Sequence, residues 1–290
     1  MRIAASRRAH WKQSRSRTEG VHESRVELSS GGWIDVAHIP NEWGGDPLLL
    51  VAGLSGGWRL LQPLARRLAQ RHSVYIASLR GDGLDFPATT DAAKSVSDHA
   101  ADLAELIDRL GLERPAIMGV SFGGAAALEL AITRPQLPAA LVLHGVEARF
   151  GQVLGARIAR NVLERFALPK DSPFLNQFFH LLFGREPEPG PMLDFVVKQC
   201  WSTGQGELVR RFRALESFDV REHLWRVEAP TMVLAAAKDV IVPPARQKAL
   251  ADSIFGARFA IIPDCGHIGF LTHARDTARV ARSLLGRVPA

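Results

Sequence analysis

Cysteine is nearly missing from this chain. Cys200 and Cys265 are the only two in 290 residues, too few for a disulfide framework or a four-ligand zinc site. Such scarcity of cysteine fits a reducing compartment best, so the cytoplasm is the expected location. No run approaches the ~18 consecutive apolar residues of a membrane-spanning helix, and the first 25 residues lack the apolar stretch of a secretory signal. No internal repeat is visible. What is present is ordinary: 47% hydrophobic and 23% charged residues, which excludes a disordered or fibrous chain over most of the length. The length suits one large α/β domain, or such a core with an insertion.

The net charge of +6 invites a nucleic-acid or membrane-surface reading, but its location argues otherwise. Residues 1–25 carry seven basic residues (Arg2, Arg7, Arg8, Lys12, Arg15, Arg17, Arg25) against Glu19 and Glu23. The rest of the chain is close to neutral. The basic segment therefore reads as a disordered or partly ordered leader, with an organellar transit peptide as the alternative. If the leader bound nucleic acid or a membrane surface, that binding would fall steeply with salt and vanish on its deletion.

From residue 26 the pattern becomes periodic. Val26–Leu28 and Trp33–Ala37 flank Ser29-Ser30-Gly31-Gly32 as a β-hairpin. Strands follow at 48–52, 73–77, 115–120, 139–144, 230–236 and 257–262, separated by helices at 58–70, 97–110, 122–134, 244–253 and 270–286. Alternating strands and helices imply a doubly wound, mostly parallel sheet. Residues 146–225 break the rhythm with short helices punctuated by Pro169, Pro173, Pro187, Pro189 and Pro191. The expected organisation is a core of 26–145 and 226–290 with a helical insertion at 146–225. That insertion holds nine of the 14 Phe residues, which serve its own packing, an apolar roof over a pocket, or both.

The most specific signal is Gly119-Val120-Ser121-Phe122-Gly123-Gly124, at a strand end and a helix start. This is G-x-S-x-G in its required context. The sharp turn strains Ser121, projects its hydroxyl, and aims the Phe122 N–H at the place where an oxyanion would form. A serine hydroxyl needs a base, and the base needs an orienting acid. Asp239 and His267 lie in the loops beyond the carboxyl ends of the last two strands, giving the chain order Ser, Asp, His. Glu147, after strand 139–144, is the alternative acid. Cys265 reads as a small buried filler, with a redox-sensitive thiol as the sharper option. Ser55 reads equally as a turn residue and a substrate contact. Asp264 and Lys238 read as solvated. His144 and His273 have no metal-ligand spacing, and neither a metal nor any other cofactor is expected.

On the Gly119–Gly124 elbow, the run Asp239-Val240-Ile241-Val242-Pro243, the Gly266-His267 pair and the position of the insertion, residues 26–286 resemble the α/β-hydrolase superfamily. The resemblance implies an α/β-hydrolase fold with a helical cap. It also implies Ser121 as nucleophile, His267 as general base and then acid, and Asp239 as orienting carboxylate. The oxyanion hole it implies is formed by the N–H groups of Phe122 and Leu54. Two departures stand out. Ala52-Gly53-Leu54-Ser55-Gly56-Gly57 replaces the usual His-Gly, removing a side chain that braces this loop. Arg80-Gly81-Asp82-Gly83 has Asp where His is common, and Ser78 where an earlier Asp is common. Some superfamily members acting on small acyl or carbamate-like substrates also lack both histidines, which keeps that subgroup open.

The expected activity is serine hydrolysis of a carboxylic ester of a small to medium apolar substrate through an acyl-enzyme. The same triad would serve a thioesterase, lactonase, carbon–carbon bond hydrolase, acyltransferase or cofactor-free perhydrolase. A non-catalytic ligand-binding protein on the same scaffold is the reading from another class. The expected partner is a small-molecule ester or acyl substrate, with no nucleic acid and no membrane; a homodimer is left open.

Overall fold

A computed structural model describes residues 20–82, 93–150, 154–169 and 172–286. Residues 1–19 of the expected leader lie outside the described residues. The leader's expected end at residue 25 moves back, because the first strand already begins at His22.

Eight strands form one sheet: β1 (His22–Glu27), β2 (Trp33–Ile39), β3 (Pro47–Val51), β4 (Ser73–Ala77), β5 (Ala116–Val120), β6 (Ala140–His144), β7 (Thr231–Ala236) and β8 (Arg258–Ile262). Their spatial order is β1-β2-β4-β3-β5-β6-β7-β8. β2 pairs antiparallel with β1 and β4, while every pair from β4 onward is parallel. The hairpin register sets Val26 opposite Ile34, and its turn runs through Gly31 and Gly32 at φ +88° and +75°, angles that L side chains rarely adopt.

The central strands are apolar on both faces because both are covered. In β3, Leu49 and Val51 join one core with Ile117, Leu143 and Val233, while Leu48 and Leu50 join the opposite core with Met118, Val142 and Met232. The first core lies under α2 (Val96–Leu110), α3 (Phe122–Thr133) and α8 (Pro244–Ser253). The second lies under α1 (Gln62–Leu68), α9 (Gly269–Thr272) and α10 (Ala274–Leu285). The α2 boundaries follow from its sequence. Ser95 and Asp98 form a reciprocal capping box, and Gly111 ends the helix at φ +65°.

Two expected helices come out differently. The segment 58–70 opens with a 3₁₀ turn, Trp58–Leu61, before α1. The segment 270–286 breaks at His273 (φ −123°, ψ 40°), dividing α9 from α10. Between β6 and β7 stand α4 (Leu154–Arg165), α5 (Pro173–Leu181), α6 (Pro191–Cys200) and α7 (Gln205–Glu216), then a 3₁₀ turn at Arg221–Arg226. α4 packs on α7 and α5 on α6, forming the helical layer over the carboxyl edge of the sheet.

Candidate active site

Ser121 sits between β5 and α3 with φ +50° and ψ −120°, a strained conformation for a side chain with a Cβ. The neighbouring glycines explain how the turn closes. A Cβ on Gly123 would come within 2.1 Å of the Ala52 carbonyl oxygen, and one on Gly119 within 2.5 Å of the Gly124 Cα. The Phe122 side chain is fully buried, edge-on to His99, so it offers the site only its backbone. Its N–H belongs to the first turn of α3, where no intrahelical acceptor exists.

His267 and Asp239 are both buried, with His267 Nδ1 2.8 Å from Asp239 Oδ2. A carboxylate only accepts, so Nδ1 carries the proton and Nε2 keeps its lone pair. Asp239 Oδ1 accepts from the N–H groups of Ile241 and Val242 at 2.9 Å each. Gln247 donates to Oδ2 at 3.3 Å and to the Val242 carbonyl at 2.7 Å, while its own oxygen accepts from the Gly145 N–H. Burial works to raise the Asp239 carboxyl. His267 and the Val242 N–H outweigh it, and the group lies below its ordinary value.

The backbone of His267 is held from below. His144 places Nδ1 2.8 Å from the Leu234 carbonyl and Nε2 3.1 Å from that of His267. Burial, and then the neighbouring His267, hold His144 below the usual imidazole value. Gly145 has φ +66°, and a Cβ there would lie 2.7 Å from His267 Cε1. From above, the α5 exit packs against both loops. Leu182 accepts from the Ile268 N–H at 3.1 Å, and a Cβ on Gly184 would stand 2.2 Å from the Lys238 carbonyl.

Ser121 and His267 face one cavity of about 230 Å³. No hydrogen bond joins the two; such contacts are often long before substrate arrives. Leu54, Ser55 and Gly57 line the same cavity, so the structure brings together Ser121, His267 and the Leu54 loop, with Asp239 behind His267. Glu147 does not join them; it pairs with Arg246 at 3.3 Å, and burial raises its carboxyl. Lys238 and Asp264 form an exposed pair. Cys265 is buried, with its thiol pushed up to about 11 by burial.

Among the described residues the insertion's share of the cavity wall is apolar and mostly aliphatic. Of these residues, Phe179 and Phe212 line the cavity, with Ala159, Leu163, Leu181, Leu182 and Leu208. Phe150 and Phe218 pack on one another against the core, and Phe166 is exposed. Among the described residues lining the cavity, none is Asp, Glu, Lys or Arg. Among the described residues there is also no cluster of three potential metal ligands, and no helix long and apolar enough to cross a membrane.

Residues 46–274 match the family model described as alpha/beta hydrolase fold. The chain belongs to this family. Among curated relatives of this hydrolase, one from Variovorax paradoxus (strain S110) is 30% identical over 254 residues, 85% of this chain and 94% of the relative, and bears the name "Putative carbamate hydrolase RutD". Among solved structures, a hydrolase from Pseudomonas aeruginosa PA01 superposes with a TM-score of 0.81 at 23% identity, covering 91% of this chain and 98% of that one. The esterase EaEST from Exiguobacterium antarcticum gives 0.79 at 21% identity, covering 89% and 97%. The two structures share the fold of this hydrolase.

The sequence reading of this hydrolase missed Gly145, Gly184, Gln247 and Arg211. The glycines carry a signal only once φ is known, and Gln247 lies on α8 with no pattern to single it out. Arg211 lies four residues after Glu207 and reads as half of a solvated helix pair; its burial against the loops after β3 and β4 appears only in the structure.

Proposed function

We propose that this α/β hydrolase cleaves an uncharged carboxylic ester of small to medium apolar character through an acyl-enzyme. The observation that carries the reading is the Asp239–His267 pair opening onto the same uncharged cavity as the strained Ser121. Ser121 Oγ attacks the ester carbonyl carbon while His267 Nε2 takes its proton. The negative charge on the carbonyl oxygen is met by the Phe122 N–H and, from the loop after β3, the Leu54 N–H. Collapse expels the alcohol, which receives the proton from His267. Water then attacks the acyl-enzyme with His267 again as base, and the acid leaves. Asp239 holds the imidazole orientation and supports the imidazolium in each step.

Substrate character follows from the cavity. At about 230 Å³ it is smaller than the ~300–1,000 Å³ typical of drug-sized ligand sites. Its lining offers Ser55, Ser121, Cys200 and His267 as the polar side chains among apolar ones, and an ionised substrate would be desolvated there without a charged partner.

Carbamate hydrolysis is the second reading, favoured by the names of the relatives. Turnover of p-nitrophenyl esters from acetate to octanoate, measured beside an aryl carbamate of matched size, separates the two. The proposal expects faster ester turnover with an optimum at short to medium chains. Preference for the carbamate would replace it with the second reading.

A further inference from the structure

Arg211 is the largest of the fully buried side chains, and an isolated buried guanidinium would be prohibitively costly. It projects from α7 in the insertion and reaches two loops of the core. Nε donates to Glu207 at 3.1 Å, Nη1 to the Leu54 carbonyl at 2.7 Å and to Asp82 Oδ1 at 2.9 Å, and Nη2 to the Arg80 carbonyl at 3.0 Å. Asp82 also accepts from the Leu79 N–H and from the Thr203 hydroxyl, and Thr203 accepts from the Gly56 N–H. Glu207 fits because residue 81 is glycine: a Cβ there would meet the Glu207 carboxyl carbon at 2.5 Å, and φ is +95°. The loop thus meets three residues of the insertion, Arg211 at Leu54, Cys200 at Ser55 and Thr203 at Gly56, and one of the core, Ser78, whose hydroxyl accepts from the Trp58 N–H.

This arrangement stands where the sequence departs from the family. Ala52 has no side chain to brace the loop after β3. Asp82 instead receives a cation from the helical layer.

We propose that Arg211 is the positioning residue of the oxyanion loop: it turns the Leu54 carbonyl away from the cavity and toward α7, and so fixes the orientation in which residue 54 meets the substrate. The inference rests on the serine-hydrolase reading. Its consequence is that the helical layer is part of the catalytic framework, since lifting α7 would separate buried opposite charges and release the loop together.

The test compares the full-length wild type with Arg211→Lys, which keeps the charge but loses the planar fork that reaches Leu54, Asp82 and Arg80 at once. Active sites are titrated with a fluorophosphonate so that rates refer to competent molecules. The expected result is a kcat about 10²-fold lower with KM within about twofold, and a parallel loss of affinity for an alkyl boronic acid, whose tetrahedral serine adduct uses the same donors. A merely structural Arg211 would lower the melting temperature and leave kcat per titrated site and boronate affinity at wild-type values, which overturns the proposal. Should Arg211→Lys not fold, Thr203→Val withdraws one hydroxyl from the same loop. A several-fold drop in its kcat supports the proposal, and an unchanged kcat overturns it. If the wild type takes up no fluorophosphonate, the hydrolase reading falls and the proposal with it; if the wild type reacts and the variant matches it, only the proposal falls.

Discussion

Asp239 reaches His267 with one carboxylate oxygen, at 2.8 Å, and spends the other on two backbone N–H groups of its own loop. The acid is therefore fixed before it orients the base. Asp239→Asn keeps the shape but can present an amide N–H to the imidazole, favouring the wrong tautomer. Ester turnover is expected to fall about 10⁴-fold. Glu147→Gln, which touches Arg246 instead, is expected to stay within a few-fold. Steady-state rates on one p-nitrophenyl ester check both, and loss of activity in the Glu147 variant alone would reassign the acid.

Gly145 is a second handle on His267. An alanine there must adopt φ +66° and place its Cβ 2.7 Å from the imidazole. The left-handed conformation costs roughly 1–2 kcal/mol, which a folded domain can absorb. Displacement of the ring is the larger effect on function, about 10²-fold in kcat. Circular dichroism and kinetics on Gly145→Ala should show a folded protein with this loss.

The cavity wall sets acyl length. Ala159 is buried and lines the cavity, so Ala159→Phe should shorten the preferred chain, while Leu163→Ala should lengthen it. Each methylene gained or lost is worth roughly 1–3 kcal/mol in kcat/KM. A chain-length profile that does not move in either variant would place the acyl group elsewhere.

The buried histidines should cost stability on mild acidification. His38, stacked on Tyr75 and 2.8 Å from the Ser73 hydroxyl, is held down to about 4 by burial and then by His22. His99 lies well below its ordinary value because of burial and then Arg211 and Arg80, and His144 is lowered too. Above about pH 6.5 all three are neutral in folded and unfolded chains alike. Below it the unfolded chain takes up protons that the fold refuses, so their share of the stability drops from about pH 6.5 down to about pH 4. Melting temperatures across that window should decline less steeply in His38→Gln than in the wild type, which isolates the histidine contribution from the raised carboxyls of Asp102 and Glu147, whose sign is opposite.

The strand and helix series could be read from the sequence because periodicity and chain order follow from what each face buries. The elbow could be read because its glycines are forced by backbone approaching within 2.1–2.5 Å of an added Cβ. Ser121, His267 and Leu54 do line one cavity, and Asp239 does lie behind His267. Other features needed coordinates. His22 to Arg25 looked like the end of a charged leader, since an edge strand with one exposed face carries no apolar run; pairing with β2 makes it a strand. Glu207 and Arg211, four residues apart, look like a solvated helix pair; only the packing of α7 onto the loops after β3 and β4 shows that Arg211 is fully buried. Which of the insertion's phenylalanines face the cavity also needed coordinates: Phe179 and Phe212 line it, while Phe150 and Phe218 pack on one another.

Ser121 should behave as an activated nucleophile. Incubation with a fluorophosphonate followed by peptide mass mapping tests it directly. A single adduct is expected on Ser121, absent in Ser121→Ala and formed far more slowly in His267→Ala. An unmodified wild-type chain, or an adduct that persists in Ser121→Ala, would contradict it.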